Sequence, residues 1–440
     1  MSVLAVDPRQ FPAGWRLKPL KAVADYLVSN VDKVPDEAEE PVRLCNYTDV
    51  YKNEFIRSSM EFMRSTATHR EIEKFRLVEG DVVITKDSET WEDIAVPALV
   101  VESADDLVCG YHLAMLRPFK DDLDGRFLFR CLQSKAIRLA LELASTGVTR
   151  FGLPKGEIGK LQLPIPPRSD QRLIADYLDT QTVEIDALVE EKKQMLVLLD
   201  EKRAALVTHA STRGLDPNAP LKPSGLEWLG DIPQHWRVMR FKHFARIGNG
   251  STPNRENPKY WDDGDFPWLN SSVVGDRTVQ EESRFVTEAA LTECHLPKIA
   301  PPALLVAITG QGKTRGRSTV LKFDATINQH LAYVKPDAAA ADCLYLSFVM
   351  DAAYAFIRSD SDGAGSTRGA ITCEQLGNFR LPLPPLPEQK SILDSISART
   401  MRFDSIEKSA SASILLLKER RSALITAAVT GQIPIDEMTA

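Results

Sequence analysis

The sequence predicts a mixed α/β (α+β) protein built twice over, with two globules of short strands and helices, each followed by one long helix. Three observations carry this. Residues 163–179, LPIPPRSDQRLIADYLD, recur at 381–397 as LPLPPLPEQKSILDSIS, an offset of 218 residues. The offset holds without a gap to EKRAALVTHAST (201–212) and ERRSALITAAVT (419–430), with 18 identities over the 50 positions 163–212. Further upstream, GVTRFG (147–152) matches GSTRGA (365–370), HLAMLRP (112–118) matches HLAYVKP (330–336), and FPAGWRL (11–17) faces IPQHWRV (232–238). A repeat on this scale sets the architecture before local propensities are weighed.

Each half opens with a stretch that mixes β-branched runs with a few helical ones. A proline-rich strap follows, with Pro164, Pro166 and Pro167 in one half and Pro382, Pro384, Pro385 and Pro387 in the other. Such straps cannot be helical and mark a boundary. The expected order is a globule over 1–165, a helix over 166–212, a linker over 213–234 containing PNAPLKPSG, a second globule over 235–383, a second helix over 384–430 and a tail over 431–440.

The long helices have heptad spacing. Ile174, Leu178, Gln181, Ile185, Leu188, Lys192, Met195, Leu199, Lys202 and Leu206 alternate steps of four and three, and the same positions recur 218 residues later from Ile392 to Leu424. Polar residues interrupt both seams, which fixes register at some cost in stability. Two helices each packed on its own globule would satisfy the pattern too. About 40 residues of helix make a rod of about 60 Å, longer than a small globule, so the expectation is an antiparallel coiled coil with pseudo-two-fold symmetry.

Composition fits an ordinary globular protein, with 43% apolar and 26% charged residues. No apolar run approaches the roughly 18 residues of a membrane span, and the start lacks a signal peptide's basic and apolar regions, so a cytoplasmic protein with no membrane partner is expected. Six scattered cysteines without a C-x-x-C pair fit a reducing compartment and argue against zinc or a disulfide frame. The net charge of −7 argues mildly against nucleic acid, but local charge matters more.

LLVAITGQGKTRGRST (304–319) imitates a phosphate-binding loop. Such a loop needs a helix directly after Gly-Lys-Thr, whereas RGRSTVLKF suits a strand. The first glycine is replaced by Ala307, and the copy in the first half, aligned as Val82–Thr85 on 306–309, continues with Lys86, Asp87 and Ser88. A P-loop enzyme is therefore the weaker reading. The loop's other content is cationic and polar: Gln311, Lys313, Thr314, Arg315, Arg317 and Ser318. HWRVMRFKHFARIGNGSTPNR (235–255) is a second stretch without acids. Such patches suit phosphate contact. Asn270 in PWLNSS and Asn328 and Gln329 in TINQHLAYV have amides suited to adenine, as Arg and Lys suit guanine. As turn residues they would instead satisfy local backbone. Trp15 and Trp236, at matched positions, are expected as core anchors rather than base-stacking groups.

With its duplicated globule, strap and long helix, the chain resembles the specificity subunit of type I restriction–modification systems. The most specific pieces are LPIPPRSDQRLIADYL, LPLPPLPEQKSIL and GSTRGAITCEQLGNFRLPLPP. The resemblance implies that the globules are target-recognition domains and the helices conserved spacers, and that the chain is a DNA reader without catalysis. It implies double-stranded DNA as ligand, with an asymmetric bipartite target whose gap the rod sets, and two modification subunits and restriction subunits as partners. No cofactor is expected in this chain; S-adenosylmethionine, ATP and magnesium belong to the partners. Carried onto this sequence, the implied DNA contacts are Asn46, Tyr47, Lys86, Ser88, His112, Thr149 and Arg150 in the first half. In the second they are Ser251, Thr252, Asn270, Ser271, Gln311, Lys313, Thr314, Arg315, Arg317, Asn328, Gln329, His330, Thr367 and Arg368. The first half diverges, with NYTDVY where the second has NSSVVG, so the two globules are expected to read different sequences. There is no Asn/Asp-Pro-Pro-Tyr/Phe segment for adenine methylation. A protein–protein scaffold is the remaining alternative.

Overall fold

The computed structural model describes residues 11–280, 284–310, 312–362 and 369–439. They divide into two compact units. Unit 1 holds residues up to 194 together with those from 410 onward, and unit 2 holds residues 195–409. The repeat is therefore legible in space, but each unit borrows the far end of the other half's long helix.

Unit 1 is organised by a five-stranded sheet in the order Ala24–Val28, Leu113–Pro118, Val82–Thr85, Pro97–Val100, Phe55–Ile56. Its central strands are buried on both faces. Val82, Ile84, Ala114 and Leu116 join one core cluster while Val83, Leu113 and Met115 join another. Side chains alternate across a sheet, so a sheet covered twice reads as unbroken apolar runs. Unit 2 repeats the design in a four-stranded sheet, Ala245–Asn249, Leu331–Pro336, Ala303–Ala307, Ser318–Leu321. There Leu304, Val306, Ala332 and Val334 face one core, and Leu305, Ala307 and Leu331 the other.

The long helices run Arg168–Arg213 and Leu386–Val429. In unit 1, Ile174 and Leu178 share a core with Ile425, Ala428 and Val429. Arg421 pairs with Asp186 at 2.9 Å and Glu54 at 2.8 Å. In unit 2, Arg203 pairs with Asp404 at 2.7 Å and Glu407 at 3.0 Å, and Ala210 shares a core with Ile392 and Ile396. Within each unit the helix segments are thus antiparallel, and the ion pair recurs at the same offset of 218.

The seam is shifted from the expected one. Leu178, Ile185, Lys192, Leu199 and Leu206 lie on the covered face as predicted, but Leu188 and Met195 are exposed, and Thr182 and Val189 are buried in place of Gln181 and Leu188. Polar Thr182 belongs to the seam because its hydroxyl bonds the Leu178 carbonyl and receives Arg130. The expected linker is partly a hairpin, Leu221–Leu226 against Leu229–Pro233. The expected tail contributes Ile433, Ile435 and buried Met438 to the unit 1 core. Trp15 and Trp236 are buried as expected, Trp236 donating from Nε1 to Glu388 at 3.0 Å.

Candidate nucleic-acid interface

The two sheets end in equivalent polar corners. Thr85 pairs with Leu113, and Ala307 with Leu331, the two leucines being 218 residues apart. Val82–Thr85 therefore matches 304–307 and not 306–309, so the expected alignment is corrected by two residues. Backbone bonds agree. The Lys86 N–H donates to the His112 carbonyl and the Leu153 N–H to the Lys86 carbonyl; in unit 2 the Ile308 N–H donates to the His330 carbonyl and the Ile371 N–H to the Ile308 carbonyl. In this frame Asp87 stands where unit 2 has Thr309, and Ser88 where it has Gly310.

In unit 1 the corner is ionic. Asp87 accepts from Lys86 Nζ at 2.5 Å and bonds His112 Nδ1 at 2.7 Å, and Arg150 Nη2 lies 2.9 Å from His112 Nε2. Burial works against ionisation of Asp87, but the bonds from Lys86 and His112 outweigh it and hold the carboxyl below its ordinary range. His112 adopts a left-handed backbone, φ +71°, uncommon for a residue with a Cβ. Tyr47 reaches the same corner, its hydroxyl 3.2 Å from the Ser88 hydroxyl. The expected residues Tyr47, Lys86, Ser88, His112 and Arg150 are thus brought together. Thr149 is exposed beside them. Two corrections follow. Asn46 is 6% exposed and Ser88 7%, so both support the corner from inside rather than face a ligand. Asn46 ends the strand Glu40–Cys45, where its N–H bonds Asp49 and its amide the Leu44 carbonyl.

Among the described residues the unit 2 corner is built from hydroxyls, an amide and an imidazole. Thr252 donates to Gln329 Oε1 at 2.6 Å, Gln329 Nε2 lies 3.3 Å from His330 Nε2, and His330 Nδ1 lies 2.7 Å from Thr309 Oγ1. Ser251 is half-buried beside them, its hydroxyl on the Cys294 carbonyl. Asn270 caps a short turn by accepting from the Ser272 N–H, and Ser271 is half-buried in it. Asn328 is buried and accepts from the His330 N–H. For Asn270 and Asn328 the turn reading holds.

The glycine-rich loop continues from strand Ala303–Ala307 into strand Ser318–Leu321, with a turn at Thr314–Arg317. No helix N-terminus follows Lys313, so the amides and dipole of a phosphate-binding loop are not assembled. The loop is pinned from helix Tyr354–Asp362 instead. The Tyr354 hydroxyl donates to the Lys313 carbonyl at 2.7 Å, and Arg358 donates to the Gly312 carbonyl. Gly316, at φ +87°, packs against Ile357 and Tyr354. Lys313 and Arg317 are exposed, Arg317 5.3 Å above the Tyr354 ring, and Thr314 is half-buried. Arg315 is 2% exposed, against expectation. A Cβ on Gly369 would lie 1.8 Å from Arg315 Nη1, so glycine there admits the guanidinium inward. Gln311, Thr367 and Arg368 lie outside the described residues.

The basic stretch 235–255 is divided in space. Strand Ala245–Asn249 places Asn249 opposite Ala332, near Gln329, and Ala245 opposite Pro336. Lys242 and His243 are therefore about 17 Å or more from the unit 2 corner at 3.4 Å per residue. Sequence reasoning missed Asp87, Thr309 and Tyr111. Tyr111 is 45% exposed, with its ring centroid 3.7 Å from that of His112. The 218-residue offset places Tyr111 opposite Gln329 and could have found it. Among the described residues no group of three or more His, Cys, Asp or Glu could hold a metal ion, and no helix is long and apolar enough to cross a membrane.

Comparison with known proteins bears on what these corners serve. A family model for the type I restriction modification DNA specificity domain matches residues 14–196 and again 233–415. The chain is 21% identical over 393 positions to the putative type I restriction enzyme MjaX specificity subunit of Methanocaldococcus jannaschii, covering 88% of this chain and 87% of that one. It is also 21% identical over 448 aligned positions to the EcoKI specificity subunit of Escherichia coli K12, covering 96% and 90%. Its fold is shared with the HsdS subunit from Thermoanaerobacter tengcongensis, at TM-score 0.59 and 17% identity, covering 97% and 99% of the two chains. A chain from a structure bearing on complex assembly and conformational transition of the type I restriction–modification system aligns at TM-score 0.69 and 16% identity, covering 97% and 100%. The chain belongs to the type I restriction–modification DNA specificity family and carries its domain twice.

Proposed function

We propose that this protein is the non-catalytic DNA-specificity subunit of a type I restriction–modification complex. Unit 1 reads one half of an asymmetric bipartite target and unit 2 the other. The observation that carries this reading is one backbone frame presenting two different polar corners, built on Asp87 and His112 in one unit and on Thr309, Gln329 and His330 in the other. Equal frames give equivalent approaches to a duplex, and unequal side chains give unequal sequences. The partners proposed are two modification subunits, which transfer methyl groups from S-adenosylmethionine to adenine N6, and restriction subunits, which use ATP and magnesium. The straps and long helices are their docking surface. Relatives named as specificity subunits of type I restriction enzymes support this assignment.

The test is reconstitution. The chain alone should neither hydrolyse ATP nor methylate DNA. With the modification subunit added, adenine should be methylated within one two-part motif. Methylation without sequence preference would sink the proposal. Salt-dependent DNA affinity of the complex that falls on charge reversal at Lys313 and Arg317 would dispose of a non-DNA scaffold.

A further inference from the structure

Gln329 is exposed at the edge of unit 2, two residues after strand Thr326–Ile327, yet both ends of its side chain are held. Thr252 Oγ1 donates to Oε1 at 2.6 Å, and Nε2 lies 3.3 Å from His330 Nε2. An amide nitrogen only donates, so His330 Nε2 accepts and the ring carries its proton on Nδ1. That proton meets Thr309 Oγ1 at 2.7 Å. The chain Thr309–His330–Gln329–Thr252 therefore holds the plane of the amide. Each amide atom keeps one function in reserve, a second hydrogen on Nε2 and a second lone pair on Oε1. One donor and one acceptor on a fixed planar amide is the set that contacts adenine N7 and N6 together.

We propose that Gln329 reads an adenine in the half-site of unit 2, with Thr252 and His330 as the residues that position it. The proposal rests on the DNA-recognition reading above. Ordering the side chain beforehand lowers the entropy lost on binding. It also explains why an exposed glutamine is tied down by two neighbours. Unit 1 cannot make this contact at the equivalent position, because Tyr111 stands there with its ring against His112. A phenol offers one polar atom and no bidentate edge.

The experiment uses the full chain assembled with the modification subunit on a random-sequence DNA library, with methylated adenines mapped by sequencing. The wild-type complex must first give a two-part motif. If it gives none, the DNA-recognition reading fails whatever Gln329 does. Given that motif, Gln329→Leu should relax one A·T pair in one half-site by about tenfold or more, leaving the other half-site unchanged. Gln329→Glu, nearly isosteric and exposed, keeps the fold but loses the donor to N7, so it too should lose the preference for A·T. Thr252→Val should relax the same pair by less, and Thr252→Ser should restore it. An unchanged motif in both Gln329 variants, or relaxation spread over both half-sites, would overturn the proposal. So would loss of all methylation with thermal unfolding unchanged.

Discussion

The corner at His112 and the corner at His330 share a frame and differ in the side chains they present. In unit 1 Asp87 is tied to Lys86 at 2.5 Å and to His112 at 2.7 Å, and Arg150 lies 2.9 Å from His112. In unit 2 the hydroxyl of Thr309 takes the place of Asp87 and the amide of Gln329 that of Tyr111, while Ile308 stands for Lys86. Deeper in, the contrast recurs at matched helix positions. Buried Arg130 of unit 1, bonded to Asp179 and Thr182, stands where unit 2 has Phe348 under Arg277, whose guanidinium carbon lies 4.4 Å from the ring centroid. A duplicated fold tolerates this because backbone pairing carries the frame, and each polar cluster needs only to be satisfied internally.

Exchanging residues 15–147 for the corresponding segment of another family member should replace one half-site outright and leave the other intact, as read by methylation mapping. Replacement of both would break the division of labour between the units. The next largest effect is expected from Arg130→Ala, which removes a buried guanidinium bonded to Gln133, Asp179 and Thr182 and should cost about 1.5–3 kcal/mol in denaturant unfolding, Asp179 keeping Arg126 at 3.3 Å. Half-buried Phe348→Ala should cost roughly half of what a fully buried phenylalanine does. No loss at Arg130 would contradict the claim that this cluster is satisfied internally.

Acid should separate the units further. The Asp87 carboxyl is held below its ordinary range. Its contribution is therefore present above the unfolded value of about 3.9 and is lost as pH falls through the lower folded value. Asp87→Asn should remove that part of the acid sensitivity, and Thr309→Val, with no carboxylate to protonate, should leave the acid limb unchanged. Melting temperatures between about pH 5 and 3 would show this. The smallest effect concerns nucleotide. Lys313→Ala should leave ATP binding by the chain undetectable, as in the wild type, because no helix N-terminus faces that loop.

Much of this was legible in the sequence. The repeat gave two globules and two helices, because identical residues at one offset leave few other architectures. Rejection of the nucleotide loop was legible too, since Arg-Gly-Arg-Ser-Thr-Val after Thr314 suits a strand. The structure brings Tyr47, Lys86, His112 and Arg150, named separately from the sequence, to one corner. Burial was not legible. Arg315 looks like its exposed neighbour Arg317 until Gly369 is seen to make room for it. The helix seam was misread at alternate positions because Leu188 and Thr182 invert the usual preference, an apolar residue outside and a hydroxyl inside. Asp87 and Thr309 were obscured by a two-residue error in aligning the strands, which strand pairing corrects and composition cannot.

Adenine methylation across the genome of the host, with and without this gene, bears most directly on the central claim. The account predicts a single asymmetric two-part motif, methylated in the presence of the gene and unmethylated in its absence. Identical methylation in the two strains that express the modification subunit would contradict it, as would a motif with only one specified part.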